Sequence, residues 1–181
     1  MKRNNAGISL VEIVIVIAIL SILTATGAYS LSQLTGYRAR EAADKVASSL
    51  AENKVVTLGK AKKPGGMAWE LSRDGDDYFV STVHDIGTGS EYRSEREQIN
   101  EGKVDVEVCE EWPTVGPVWI TIPDGGRYRI YFNRGTGALL DMYGDPAEYD
   151  VLLQFTSGRK TYDVKVISKT GKVISDTVRK E

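Results

Sequence analysis

Between residues 8 and 28, fifteen of 21 residues are Ala, Val, Ile or Leu, and only Glu12 carries a charge. That run constrains the chain more than any other feature, because neither an amphipathic helix nor an alternating strand is apolar on every side. A helix of this length reaches roughly 32 Å, about the thickness of a bilayer's hydrocarbon core. The β-branched stretch 13–17 would suggest a buried strand in water, yet the uninterrupted length decides for a helix in lipid. Only residues 1–7 precede the run and no clean small-x-small cleavage site follows it, so the segment is expected to stay with the mature chain. Lys2 and Arg3 lie on the N-terminal side, which by the positive-inside rule puts the first residues in the cytoplasm and the bulk of the chain outside.

Glu12 is the anomaly. A carboxylate inside an apolar helix costs a few kcal/mol near the bilayer centre and less near its edge, so it calls for a partner. If the chain were cut after Gly7, the new amino group of Ile8 would lie within one helical turn of Glu12. Such a terminus on one subunit would neutralise the Glu12 of its neighbour as the helices pack.

The sequence Gly7-Ile8-Ser9-Leu10-Val11-Glu12, behind a short basic leader and ahead of a long apolar helix, resembles the class III signal of type IV pilins and pseudopilins. The resemblance implies that a prepilin peptidase cuts between Gly7 and Ile8 and methylates the new N-terminus, with Glu12 as an assembly residue. The family prefers Phe at the first mature position, where this chain has Ile8. Residues 1–7 would then be a leader peptide and 8–28 a transmembrane and filament-core helix.

From 30 to 58 there is no proline, and Leu31, Leu34, Ala39, Ala43, Val46, Ala47, Leu50 and Ala51 recur mostly every three or four residues. This spacing predicts an amphipathic continuation of the helix over 29–60, closed by the cations and breakers of Lys60-Ala61-Lys62-Lys63-Pro64-Gly65-Gly66. Over 67–181 short β-branched and aromatic runs alternate with Gly, Asp, Asn and Pro, which predicts a mostly antiparallel β head. Expected strands cover 67–71, 78–83, 103–109, 118–122, 127–133, 138–142, 150–156, 162–167 and 172–175. Val104, Val106 and Val108 alternate with Lys103, Asp105 and Glu107, and Tyr128, Ile130 and Phe132 repeat the pattern, so one face is buried and one wet. Pro123-Asp124-Gly125-Gly126 reads as a hairpin turn, as does 168–171. The fold class is therefore α+β, a long N-terminal helix packed on a β-sheet head. The order of strands and glycines over 127–174 resembles GspH/FimT-type minor pilins.

Other chemistries find little footing. A formal charge of −2 argues against a surface built throughout for nucleic acid, and the lone Cys109 and lone His84 leave no disulfide and no zinc-ligand spacing. Cys109 falls on the parity opposite Val108, toward the wet face or the strand end, and no third group orients it with His84, so no enzyme activity is expected. Asp74-Gly75-Asp76-Asp77 lacks EF-hand spacing and reads as a turn. Glu110, Glu111, Asp141, Asp145, Glu148 and Asp150 are scattered acids without a paired mechanism, and no cofactor is implied. Residues 84–102 are polar and aperiodic, a surface loop that is either a solvated insertion or a recognition element. Lys and Arg at 159, 160, 169, 172, 179 and 180 bias the end of the chain positively, with Arg159, Lys160, Arg179 and Lys180 as the nucleic-acid contacts to test.

These readings converge on a minor pilin or pseudopilin subunit of the inner membrane that assembles into or primes a type IV pilus or a secretion pseudopilus. The resemblance implies other pilins, an inner-membrane platform and an assembly ATPase as partners. A major pilin, or a tip subunit binding DNA or a surface ligand, are the alternatives.

Overall fold

The computed structural model describes residues 10–59, 66–100 and 102–178, with the side chains of 26–35 and 177–178 outside the description. A helix, α1, covers Leu10–Gly59. The chain divides into two compact units, Met1–Leu34 and Thr35–Glu181, and each is described by itself. Gly7, Ile8, the cationic stop at 60–65 and the basic residues Arg179 and Lys180 lie outside the described residues.

In the first unit every large aliphatic side chain from Leu10 to Leu23 is at least about half exposed, from 48% at Ile13 to 78% at Leu10. The hydroxyls of this stretch turn inward on their own backbone. Ser21 Oγ donates to the Ile17 carbonyl at 2.8 Å and Thr24 Oγ1 to the Leu20 carbonyl at 2.7 Å. Such back-bonding satisfies a hydroxyl where no water is at hand. Among the described residues no helix is long and apolar enough to cross a membrane. The expected span over 8–28 extends at both ends beyond the residues whose side chains are described.

The second unit contains two antiparallel sheets. The first orders β3 (Tyr92–Arg93), β2 (Asp77–Ile86), β1 (Gly66–Asp74), β7 (Arg127–Phe132) and β8 (Leu139–Leu140), with β4 (Glu97–Gln98) also on β2. The second orders β11 (Lys172–Val178), β10 (Lys160–Ile167), β9 (Asp150–Ser157), β5 (Asp105–Trp112) and β6 (Gly116–Thr121). Ala39, Ala42, Ala43, Val46 and Leu50 of α1 join both sheets in one buried cluster with Trp69, Leu71, Val106, Ile130, Leu153, Phe155 and Val164. The helical spacing puts these positions on one stripe, and the three alanines let the backbone come close to the sheets. Polar ties fix the seat: Trp69 Nε1 donates to Ser49 Oγ at 2.9 Å, Asn53 Nδ2 to Thr82 Oγ1 at 3.1 Å and Lys54 Nζ to the Thr170 carbonyl at 2.8 Å.

The alternation holds where it was clearest: Val104, Val106 and Val108 are buried while Lys103, Asp105 and Glu107 are exposed. The 168–171 turn does join a paired hairpin, β10 to β11. Four expectations are corrected. Pro123–Gly126 makes a tight turn, with Gly126 N–H donating to the Pro123 carbonyl at 2.8 Å, yet β6 pairs with β5 and β7 with β1. The turn carries the chain from one sheet to the other and is docked on β1 through Gly125 N–H to the Arg73 carbonyl and Arg73 N–H to the Gly126 carbonyl. A turn motif encodes a reversal and not the identity of the partner strand.

Residues 84–102 are not a free loop. His84 belongs to β2, β3 and β4 add to that strand, and Ile99 and Asn100 are buried. Side chains supply the order that hydrophobic periodicity lacks here: Asn100 Oδ1 accepts from Tyr78 N–H at 2.8 Å, and His84 stacks on Tyr92 at 4.7 Å. Cys109 is buried, because its strand β5 lies between β6 and β9, which bring Trp119 and Leu152 to either side of the small thiol. Of 138–142 only Leu139–Leu140 is strand; Asp141 Oδ1 ends it by accepting the N–H groups of Tyr143 and Asp145, both at 2.9 Å.

Candidate functional site

Glu12 stands in the first turn of α1 with its side chain exposed among aliphatic neighbours. Around it Leu10, Val11, Ile13 and Val16 present apolar surface on every side, so Glu12 is the one fixed polar mark on a helix face that otherwise offers only dispersion and hydrophobic contact. A strip of aliphatic side chains this continuous marks an interaction surface.

In the head, Arg159 sits in the β9–β10 turn next to Gly158, which takes a positive φ of 63°. Lys160 opens β10 opposite Ser157, and its methylene stem lies against Gly36 of α1. Lys169 and Lys172 lie just beyond the other end of β10, whose eight residues span about 23 Å. Of the basic positions, the four described ones, Arg159, Lys160, Lys169 and Lys172, therefore fall in two pairs near opposite ends of β10.

The strongest charge cluster went unread in the sequence. Glu70, on the central strand β1, is 1% exposed. Arg93 Nε donates to its Oε1 at 2.7 Å and Arg129 Nε to its Oε2 at 2.8 Å, while Arg129 Nη2 reaches Glu91 Oε1 at 2.8 Å. Burial alone would push the Glu70 carboxyl up, but the Arg93 and Arg129 hydrogen bonds and charges outweigh it and hold the carboxyl below its ordinary range. The sequence signal was an acid inside the apolar run Ala68-Trp69-Glu70-Leu71.

The scattered acids find structural partners. Glu111 and Asp150 face each other across β5 and β9 and share Lys165 Nζ, whose affinity for its proton is raised first by the Glu111 hydrogen bond. Glu110 accepts the Tyr128 hydroxyl at 3.1 Å and Trp112 Nε1 at 3.2 Å. Among the described residues no group of three or more His, Cys, Asp or Glu is placed to hold a metal ion.

Comparison with known proteins agrees with the N-terminal geometry. A protein-family model, the prokaryotic N-terminal methylation motif, matches residues 2–28. The match spans Gly7, Ile8 and Glu12 and supports a type IV pilin-like protein with a leader processed by a prepilin peptidase. No curated protein and no solved structure matches the chain.

Proposed function

We propose that this chain is a minor pilin-like subunit, a structural rather than catalytic component of a type IV pilus or a secretion-like pseudopilus. The carrying observation is the conjunction at one helix end of the methylation motif, the exposed aliphatic strip from Leu10 to Leu23 and the single charge of Glu12. In this reading the helix first anchors the protein in the inner membrane with the head outside. Cleavage after Gly7 then frees the Ile8 amino group, and the helix passes from lipid to the filament core, where the ammonium of one subunit meets Glu12 of the next. The exchange of lipid for neighbouring helices keeps the aliphatic surface covered throughout. The charge pair sets which axial register of helices is favoured.

The similarity of the β head to GspH/FimT-type proteins rests on strand and glycine order and points to the minor role. Intact-mass measurement on membranes from cells with the peptidase tests the reading: a chain beginning with methylated Ile8 is expected, and a chain retaining Met1 overturns it. Abundance in sheared filaments separates minor from major, since a minor subunit is rare beside another pilin.

A further inference from the structure

A cleft of about 580 Å³ opens on the head where the end of β5, the start of β7 and the turn after β8 meet. Its floor is aromatic. Trp112 and Tyr149 pack with ring centroids 4.4 Å apart and an interplanar angle of 34°, and Tyr128 lies beside them with its hydroxyl on Glu110. The lip is Met142 and Tyr143, 74% and 83% exposed. Large apolar side chains so exposed are normally mobile, yet this turn is fixed: Asp141 Oδ1 holds the N–H groups of Tyr143 and Asp145, and Asp141 N–H donates to the Asp145 carbonyl at 2.8 Å. A lip carried on a backbone held in place, over an aromatic floor, lowers the ordering cost of binding there.

The polar groups in the wall narrow the ligand. Glu110 and Asp141 are acceptors, and Arg127 and Arg129 are donors, so the wall carries both signs. A phosphate-rich ligand would meet the two carboxylates, and a polycation the two guanidinium groups. Neither sign is left dominant: Arg129 is held by Glu70 and Glu91 and Arg127 Nε stands 3.9 Å from Glu70 Oε1, while Glu110 already accepts from Tyr128 and Trp112 and Asp141 from the N–H groups of its own turn. The Tyr149 hydroxyl is a hydrogen-bond donor at neutral pH, as any tyrosine is, and burial followed by the Glu110 and Asp141 charges pushes its titration further up. Flat rings for stacking on apolar C–H faces, flanked by acceptors and donors in balance, match a neutral molecule with hydroxyls around a ring. A second cleft of about 440 Å³ shares Tyr131, Met142 and Tyr143 with the first, which suits a ligand longer than one ring.

We infer that the cleft between Trp112, Tyr149 and the Tyr143 lip binds a neutral oligosaccharide, giving the head a ligand-binding role independent of how its N-terminal helix assembles. The test uses the full chain in micelles of a zwitterionic detergent without sugar headgroups. A glycan array of plant, bacterial and animal saccharides selects a probe, which is then titrated by isothermal calorimetry. Saturable binding is expected, weakened roughly tenfold or more by Tyr143→Ala and by Trp112→Phe combined with Tyr149→Ala. Trp119→Phe, on β6 and away from the cleft, should leave it unchanged. Tyr143 is exposed, so its removal keeps the fold, and an unchanged urea midpoint verifies this. Three results overturn the inference: no saccharide is retained on the array, binding survives Tyr143→Ala undiminished, or a peptide array binds through the Tyr143 lip where saccharides do not.

Discussion

Replacing Glu70 by Gln removes the charge on which three arginines converge while keeping the size of the side chain. Breaking a fully buried ion pair typically costs about 3–5 kcal/mol, because the surviving charge is stranded. Here the stranded groups are not fully buried: the side chains of Arg93 and Arg129 are 33% and 26% exposed, and Arg129 keeps Glu91. Water and Glu91 recover part of the loss, and Gln still accepts one hydrogen bond, which lowers the expectation to roughly 2–3 kcal/mol. That is a large share of the 5–15 kcal/mol that holds an ordinary domain folded and corresponds to a fall in Tm of about 5–10 °C. The pH dependence follows from the lowered carboxyl of Glu70. Its contribution is fully present above the ordinary carboxylate value of 4.5 and is lost as pH falls below that value through the depressed folded one. Urea unfolding of the detergent-solubilised chain at pH 7 and at steps below pH 5 measures both effects. The variant should be less stable at pH 7 and should lose less stability than wild type on acidification. A variant within about 0.5 kcal/mol of wild type at pH 7, with the same acid slope, would refute the assignment of Glu70 as the centre of the network.

Glu12→Val should leave cleavage after Gly7 intact while incorporation into filaments falls, which immunoblots of membrane and sheared fractions follow separately; wild-type incorporation would sink the intersubunit pairing. Gly171→Ala should cost about 2–4 kcal/mol in urea unfolding, because Gly171 has a positive φ of 57° and a Cβ there would strike the Gly137 carbonyl. Gly75→Ala, at φ 63° but in open space, should cost only about 1 kcal/mol, and equal losses at the two sites would remove the close-contact argument. The Cys109 thiol, pushed up by burial and then by Glu111, should react with a disulfide reagent roughly a hundredfold more slowly in the folded chain than in urea. Equal rates would place it at the surface.

Much of this was legible along the chain because the signals are local. The apolar run with Glu12, the stripe Ala39, Ala43, Val46 and Leu50, and the alternation of Val104, Val106 and Val108 each express a single element's period against one environment. Strand partners are not local. The turn at Pro123–Gly126 is as tight as a hairpin's, but whether β7 lies on β6 or on β1 depends on where Trp69 and Ile130 find a common core, 61 residues apart in sequence. Burial of Cys109 was invisible for the same reason, since parity along β5 assigns a face but Trp119 and Leu152 decide whether that face is wet. Glu70 and Arg129 are 59 positions apart, and the aromatic cleft gathers Trp112, Tyr128, Tyr143 and Tyr149 from four separate segments. Charge pairing and cavity shape act through space over a few ångströms, so a chain states which residues are available for them and only the folded arrangement states which ones meet.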